Sequence, residues 1–448
     1  MLKFCCANFW AGLTANFNGA SACARLHLNL DTSLGIGSMA QDPTTAPKPN
    51  SPSQSAQGLL EHAKQLAPFL SAQSEHNEAA GRLTDEVILA LTDARLFSFF
   101  MPKDFGGAEL WPTEGLKIIE ALSYADGSTG WVTMATQVSM ATAAAYLKPD
   151  AAKAIFGSTL PLIAGQGAPT GRAEPEGTGY WLSGKWNYGS GLLHSRWIHT
   201  GATIYEGERP RHYLGTNGLD ARIFIVPVTD ADISGNWDVL GLRATGSVDY
   251  TINRAFVPEE FTHRLSANCP YQGGDLYRLG ISGFAAIGHT GFALGVARRA
   301  LDEIAKLAIA PRRPSPITEH GGGESFQLNY ARAEAHLTAA RALIFDTWGE
   351  IEVALAEGHD WNVRQITRVR LALNHVTSVA SNVTEFAFKS GGGTALRSGP
   401  LQRCFRDMAA GAQHFTTSEF ILRECAKDLL GLAEGKVWSL RMLVEPEQ

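Results

Sequence analysis

The hydrophobic spacing of this chain changes twice along its length, and that double change limits the folds open to it. Between residues 56 and 157 apolar side chains recur at steps of three and four, as in "GLLEHAKQLAPFL" and "DEVILALTDARLF", the period of one helix face. Thr84 and Thr113 stand where helix N-caps belong, and Pro102, Gly106 and Gly107 in "MPKDFGGAEL" break the pattern with a turn. From about 160 to 265 the segments "GYWLSGKWNYGSG", "SRWIHTGATI", "ARIFIVPV" and "DYTINRAFVP" are rich in β-branched and aromatic residues punctuated by Gly, Pro and Asp, the signature of strands. After Asp275 helical spacing returns, near 276–309, 326–357, 361–389 and 400–433, with glycine runs at 321–323 and 391–393 marking loops. Four helices of that length predict a bundle.

The expected fold is therefore α+β and multidomain. A disordered extension over 1–56 precedes an N-terminal helical domain over 57–158, a middle β-barrel or sandwich domain over 159–270, and a C-terminal four-helix bundle over 271–448. A chain of 448 residues is long enough for these parts. Its net charge of −6 argues against a nucleic-acid partner, which would want a basic surface. No run of eighteen apolar residues occurs, so no membrane span is expected. Six cysteines without paired spacing fit reduced thiols in a cytoplasmic protein.

Residues 1–30 lack Asp and Glu and carry three of the six cysteines, while "GASACA" only weakly resembles a signal cleavage site. Met39 precedes the Pro/Ser/Gln-rich "AQDPTTAPKPNSPSQSAQ", so Met39 is the expected natural start and 1–38 is expected to add nothing to function.

Several apparent motifs fail on chemistry. "GYWLSGKW" has the glycine and lysine spacing of a phosphate loop, but Trp186 stands where a Ser or Thr must ligate magnesium, and the segment reads as strand. His194 and His199, five apart on expected strand, would face opposite ways, and no metal site is predicted. There is no GxSxG for an α/β-hydrolase serine.

Four segments, taken in order, resemble the acyl-CoA dehydrogenase superfamily over roughly 57–435. They are Pro102, Phe105, Gly106 and Gly107 of the turn, "LSGKWNYGSG", "LGLRATGSVDYTINRAFVP" and "PLQRCFRDM". Dehydrogenases of this superfamily keep a catalytic glutamate eight residues after the Arg-Asp pair or early in the first bundle helix. Those positions here hold Phe415 and Tyr277, so the base for α-proton abstraction is missing. "GSTGWV", "KWNYGSG" and "PLQRCFRDMAAGAQH" instead are similar to the oxygenating branch. These are the two-component flavin monooxygenases related to 4-hydroxyphenylacetate hydroxylase and dibenzothiophene monooxygenase.

The resemblance implies reduced flavin, FMN first and FAD second, delivered by a separate NAD(P)H flavin reductase. It also implies O₂ activation through a C4a-(hydro)peroxyflavin, a small aromatic or heteroaromatic substrate, and a homotetramer. It places His414 by the flavin as the proton-handling group and Ser190 near flavin N5. Trp131 and Trp186 would pack around the ring, Gln166 would touch flavin or substrate, and Arg243 and Arg312 would reach flavin phosphate. Ser139, where phenol hydroxylases of this branch carry histidine, and His289 on a small-residue helix complete the expected substrate wall with Trp131. Two other readings stay open: an acyl-CoA dehydrogenase with a relocated base, and a non-catalytic helical scaffold.

Overall fold

The structure, a computed structural model, describes residues 45–47, 54–212, 218–310 and 323–446. The expectations for residues 1–38 and for Arg312 therefore lie outside the described residues.

Among the described residues five helices come first: α1 (Ala56–Ala80), α2 (Asp85–Asp93), α3 (Pro112–Ala125), α4 (Gly127–Tyr146) and α5 (Pro149–Phe156). Ser55 caps α1 by accepting the Gly58 amide at 3.1 Å, and Gly81 at φ +67° ends it in the left-handed conformation. Asp126 caps α4 by accepting the Thr129 amide at 2.8 Å. In the turn between α2 and α3, Gly107 is required by space, because a Cβ there would lie 2.0 Å from the Met101 carbonyl oxygen.

Nine strands follow among the described residues: β1 (Ile163–Ala164), β2 (Gly171–Glu176), β3 (Gly179–Gly189), β4 (Trp197–Glu206), β5 (Arg209–Pro210), β6 (Ala221–Pro227), β7 (Asp232–Ile233), β8 (Val248–Pro258) and β9 (Thr262–Arg264). They form a single sheet in the order β7-β8-β3-β2-β4-β6-β9, with β1 and β5 paired to β4. The phosphate-loop look-alike is the strand β3. The sheet has its own core of Leu182, Trp186, Ile198, Ile204, Phe224 and Tyr250, all nearly fully buried.

The helices return as α6 (Gly280–Ile309), α7 (Glu324–Ala356), α8 (Val363–Ala395), α9 (Pro400–Gly411) and α10 (Glu419–Leu429), and a short hairpin pairs Val437–Trp438 with Leu443–Val444. By length and composition α6 could cross a membrane, but 78% of its apolar window is buried inside the fold. It is the central helix, packed on α3, α4, α8 and α9.

One element departs from expectation. The single helix read over 400–433 is two, α9 and α10, separated by residues 412–418. Thr416, Thr417 and Ser418 favour caps and turns over helix interior. The Thr417 hydroxyl donates back to the Ala412 and His414 carbonyls at 3.1 and 2.8 Å, and Ser418 begins α10 from an extended backbone. The break carries His414.

Candidate active site

His414 is thus on a bend at the end of α9, not on a helix face. Its approach to the interior depends on Gly411, where a Cβ would sit 2.4 Å from the Phe292 ring and 3.1 Å from Trp131. The Thr416 hydroxyl lies 2.8 Å from His414 Nδ1, and the Thr416 amide donates to the same nitrogen at 3.5 Å. With Nδ1 accepting, the ring proton belongs on Nε2. Burial, then the nearby positive Arg441, push the imidazole down to about 4, so His414 is neutral at physiological pH.

A second imidazole adjoins it. His289, on α6, lies ring to ring with His414 at 4.0 Å, and both meet the Trp131 indole edge-on, at 5.0 and 6.3 Å. Among the described residues His289 has no hydrogen-bond partner. Burial, and then the neighbouring His414, hold it well below the usual histidine range.

Trp131, in the first turns of α4, donates its indole N–H to Ser190 Oγ at 3.0 Å. Ser190 Oγ is 2.7 Å from Ser247 Oγ, which is itself 2.7 Å from Thr245 Oγ1. Ser190 reaches this chain because β3 shifts register against β8 between Trp186 and Gly189, with Tyr188 at φ +64°. Such a bulge redirects the side chains that follow it.

The Arg-Asp pair of α9 holds this wall in place. Asp407 is buried and accepts the Leu242 amide at 2.6 Å. Arg406 pairs with Glu78 at 2.9 Å and donates to the Leu240 carbonyl at 3.0 Å. Gly241 passes so close that a Cβ would meet the Arg406 carbonyl oxygen at 1.9 Å. Burial, and then the charge of Asp126, raise the Asp407 carboxyl to about 7. The pair therefore docks loop 236–247, which carries Ser247, onto α9.

These groups share a cavity of about 620 Å³, within the size range of small-molecule sites. Trp131, Ser139, Gln166, Ser190, His289 and His414 all line it. Ser139 Oγ donates to its own helix, at the Ala135 carbonyl 3.2 Å away. Gln166 is fixed by its amide N–H donating to the Tyr250 hydroxyl at 3.1 Å.

Two expected residues, Trp186 and Arg243, are not brought there. Trp186 is buried in the sheet core, stacked on Tyr250 at 5.4 Å and donating to the Gly201 carbonyl at 2.8 Å. It faces the sheet interior because it precedes the bulge that turns Ser190 outward. Arg243 is exposed on a one-turn 3₁₀ helix and does not line the cavity. Arg312 is not described. Of the positions where a dehydrogenase keeps its base, Tyr277 is core and donates to the Phe100 carbonyl at 2.8 Å, while Phe415 lines the cavity beside His414 at 4.7 Å.

Sequence reading missed Ser247, Tyr188, Trp237 and Arg370, all on the wall. Arg370 left a signal: it shares a helical face with Ile366, Val369 and Leu373, at steps of three and four, where an apolar residue is the norm.

The wall suits a flavin ring. Trp131, Tyr188, Trp237 and Phe415 supply aromatic surface, Ser190, Ser247 and Gln166 supply polar groups for a heteroaromatic edge, and among the described residues no Asp or Glu lines the cavity.

The chain is similar in sequence and fold to known proteins. Residues 287–419 match the family described as acyl-CoA dehydrogenase, C-terminal domain. The chain is 29% identical over 335 residues to the indole-3-acetate monooxygenase of Pseudomonas putida, spanning 74% of this chain and 83% of that protein. Among solved structures, 3-HSA hydroxylase from Rhodococcus sp. RHA1 superposes with a TM-score of 0.76 at 24% identity, over 83% of this chain and 96% of that one. XiaF from Streptomyces sp., in complex with FADH2 and glycerol, gives a TM-score of 0.75 at 22% identity, over 84% and 96%.

Proposed function

We propose that the chain belongs to the acyl-CoA dehydrogenase superfamily, in its branch of two-component flavin monooxygenases, and that its own residues serve that activity. It is the oxygenase component, a flavin-dependent oxidoreductase that inserts one atom of O₂ into a small aromatic or heteroaromatic substrate. When bound, reduced flavin supplies the two electrons that activate O₂, one oxygen atom entering the substrate and the other leaving as water.

The observation that carries the residue assignment is the meeting of neutral His414 with the Trp131–Ser190–Ser247 chain on one largely apolar wall. Trp131 and Gln166 would hold the flavin when it binds, and Ser190, locked between the Trp131 N–H and Ser247, would offer it an uncharged hydroxyl. His414 presents a proton from Nε2 and takes one back, with Thr416 fixing the ring. His289, Ser139 and Trp131 bound the substrate. Exclusion of water by this wall protects the oxygen chemistry from unproductive loss. Reduced FMN or FADH₂ comes from a separate reductase, and the working unit is a homotetramer in the cytoplasm.

The dehydrogenase alternative lacks its carboxylate, since Phe415 and Tyr277 occupy the two positions for it. Rapid mixing of the protein and anaerobically reduced FMN with oxygenated buffer tests the proposal. A long-lived oxygenated-flavin absorbance is expected with FMN or, in a repeat, with FADH₂. Oxidation of both as fast as in free solution overturns it.

A further inference from the structure

Among the described residues the wall of the cavity carries one permanently charged side chain, Arg370 of α8, and no Asp, Glu or Lys. Its guanidinium lies 4.0 Å from the Trp438 ring centre, and Nη2 donates to the Ser439 and Leu440 carbonyls at 3.0 and 3.2 Å. Nε and Nη1 have no hydrogen-bond partner among the described residues, and no carboxylate there lies within ion-pair distance of Arg370. Other partly buried arginines behave differently: Arg298 pairs with Asp302 and Glu334, and Arg406 with Glu78. Burial pulls the Arg370 guanidinium down to about 10, the mark of a cation given no counter-charge by the fold.

We propose that Arg370 is the receptor for a carboxylate on the aromatic substrate. This rests on the reading of the cavity as an aromatic oxygenase site, and it names the class of substrate: aromatic acids in preference to neutral phenols or heterocycles. Around Arg370 the wall is apolar, made by Trp361, Ile366, Val369, Leu373, Ile421 and Leu440, as an aryl acid with one charged end requires. The hydroxyl and amide groups suited to a flavin edge lie elsewhere, on the sheet and loop 236–247. A flavin phosphate would carry more charge than one arginine balances and is ordinarily met by several donors, including backbone amides. Arg370 instead has backbone carbonyls beside it. A single carboxylate matches the three N–H groups that Nε and Nη1 leave open.

Calorimetric titration of the purified full-length chain with indole-3-acetate and, separately, with its neutral counterpart indole-3-acetamide tests this. The wild type is expected to favour the acid by on the order of 10- to 100-fold, the worth of a hydrogen-bonded charge. Arg370→Met should abolish that preference while leaving the affinity for FMN unchanged, and Arg370→Lys, which keeps the charge, should retain part of it. Equal affinity for acid and amide in the wild type, or binding of neither, overturns the proposal even if Arg370→Met does not fold. So does a loss of FMN affinity in Arg370→Met with the acid preference intact, which assigns the guanidinium to the flavin phosphate. Acid preference in a protein that leaves reduced-flavin oxidation unchanged upholds the receptor and removes only the oxygenase reading.

Discussion

At the scale of single residues, the site turns on a touching pair of imidazoles that the protein keeps uncharged. His289 and His414 stand 4.0 Å apart with no carboxylate among the described residues of the wall to share, so a charge on either would be buried without compensation. His414 held at about 4 predicts a flat rate of coupled oxygenation from pH 8 down to about 5. An acid limb near 6.5 that vanishes in His414→Ala would contradict the neutral assignment. His414→Ala itself should lower coupled product formation by about 10²–10⁴ and raise release of hydrogen peroxide, with melting temperature little changed. Unchanged product yield would remove the histidine from the chemistry. At this scale the sequence was only partly legible. His414, Ser190 and Trp131 were readable because they fall in recognisable segments. Trp186 was misplaced because a bulge two residues later decides which face each side chain takes, and bulges leave little trace in composition. Arg370 was missed because one charged residue on an apolar helix face reads as ordinary sequence until the cavity beside it is seen.

At the scale of elements, the decisive feature is the docking of loop 236–247 on α9. Asp407 buries a carboxylate to satisfy one amide, that of Leu242, which sits at φ +56°. Asp407→Ala leaves that amide unpaired and should cost about 1–3 kcal/mol. Asp407→Asn keeps an acceptor in place and should cost distinctly less. Equilibrium urea unfolding separates the two, and equal losses would mean the charge, not the acceptor, is what matters. Asp407→Ala should also raise uncoupling, because Ser247 and through it Ser190 depend on this loop. The succession of helical, β and helical regions followed from side-chain period alone, since period is a property of neighbours in sequence. The break of the last helix at 412–418 did not, although Thr416, Thr417 and Ser418 announce it: three hydroxyl residues between apolar positions weaken a helix without forbidding one. Tertiary contact decides the matter, with Gly411 pressed against Phe292 and Trp131.

At the scale of the whole molecule, buried histidines set the response to acid. Burial leads the lowering of His194, His263 and His414 to about 4 and of His199 to about 3, and it holds His289 well below its usual range. In the unfolded chain each titrates near 6.5. A group whose folded value is depressed binds its proton more readily when unfolded, so its stabilising contribution is complete above about 6.5 and is lost as pH falls towards its folded value. Asp407, raised to about 7, works in the opposite sense: between about 7 and 4 the folded state holds a proton that the unfolded state has released. Five groups against one leave a net excess of up to four protons taken up on unfolding. At about 1.4 kcal/mol per proton per pH unit, stability should fall by several kcal/mol for each unit below 6. Melting temperature measured from pH 8 to 4.5 should therefore be nearly level to about 6.5 and then drop steeply. His199 hydrogen-bonds Thr142 at 3.2 Å and lines the cavity, so His199→Gln, which retains polar reach, should flatten part of that drop. A profile level down to pH 5, or unaffected by that substitution, would show that these imidazoles take up protons inside the fold, and the dry cavity wall inferred from them would have to be abandoned.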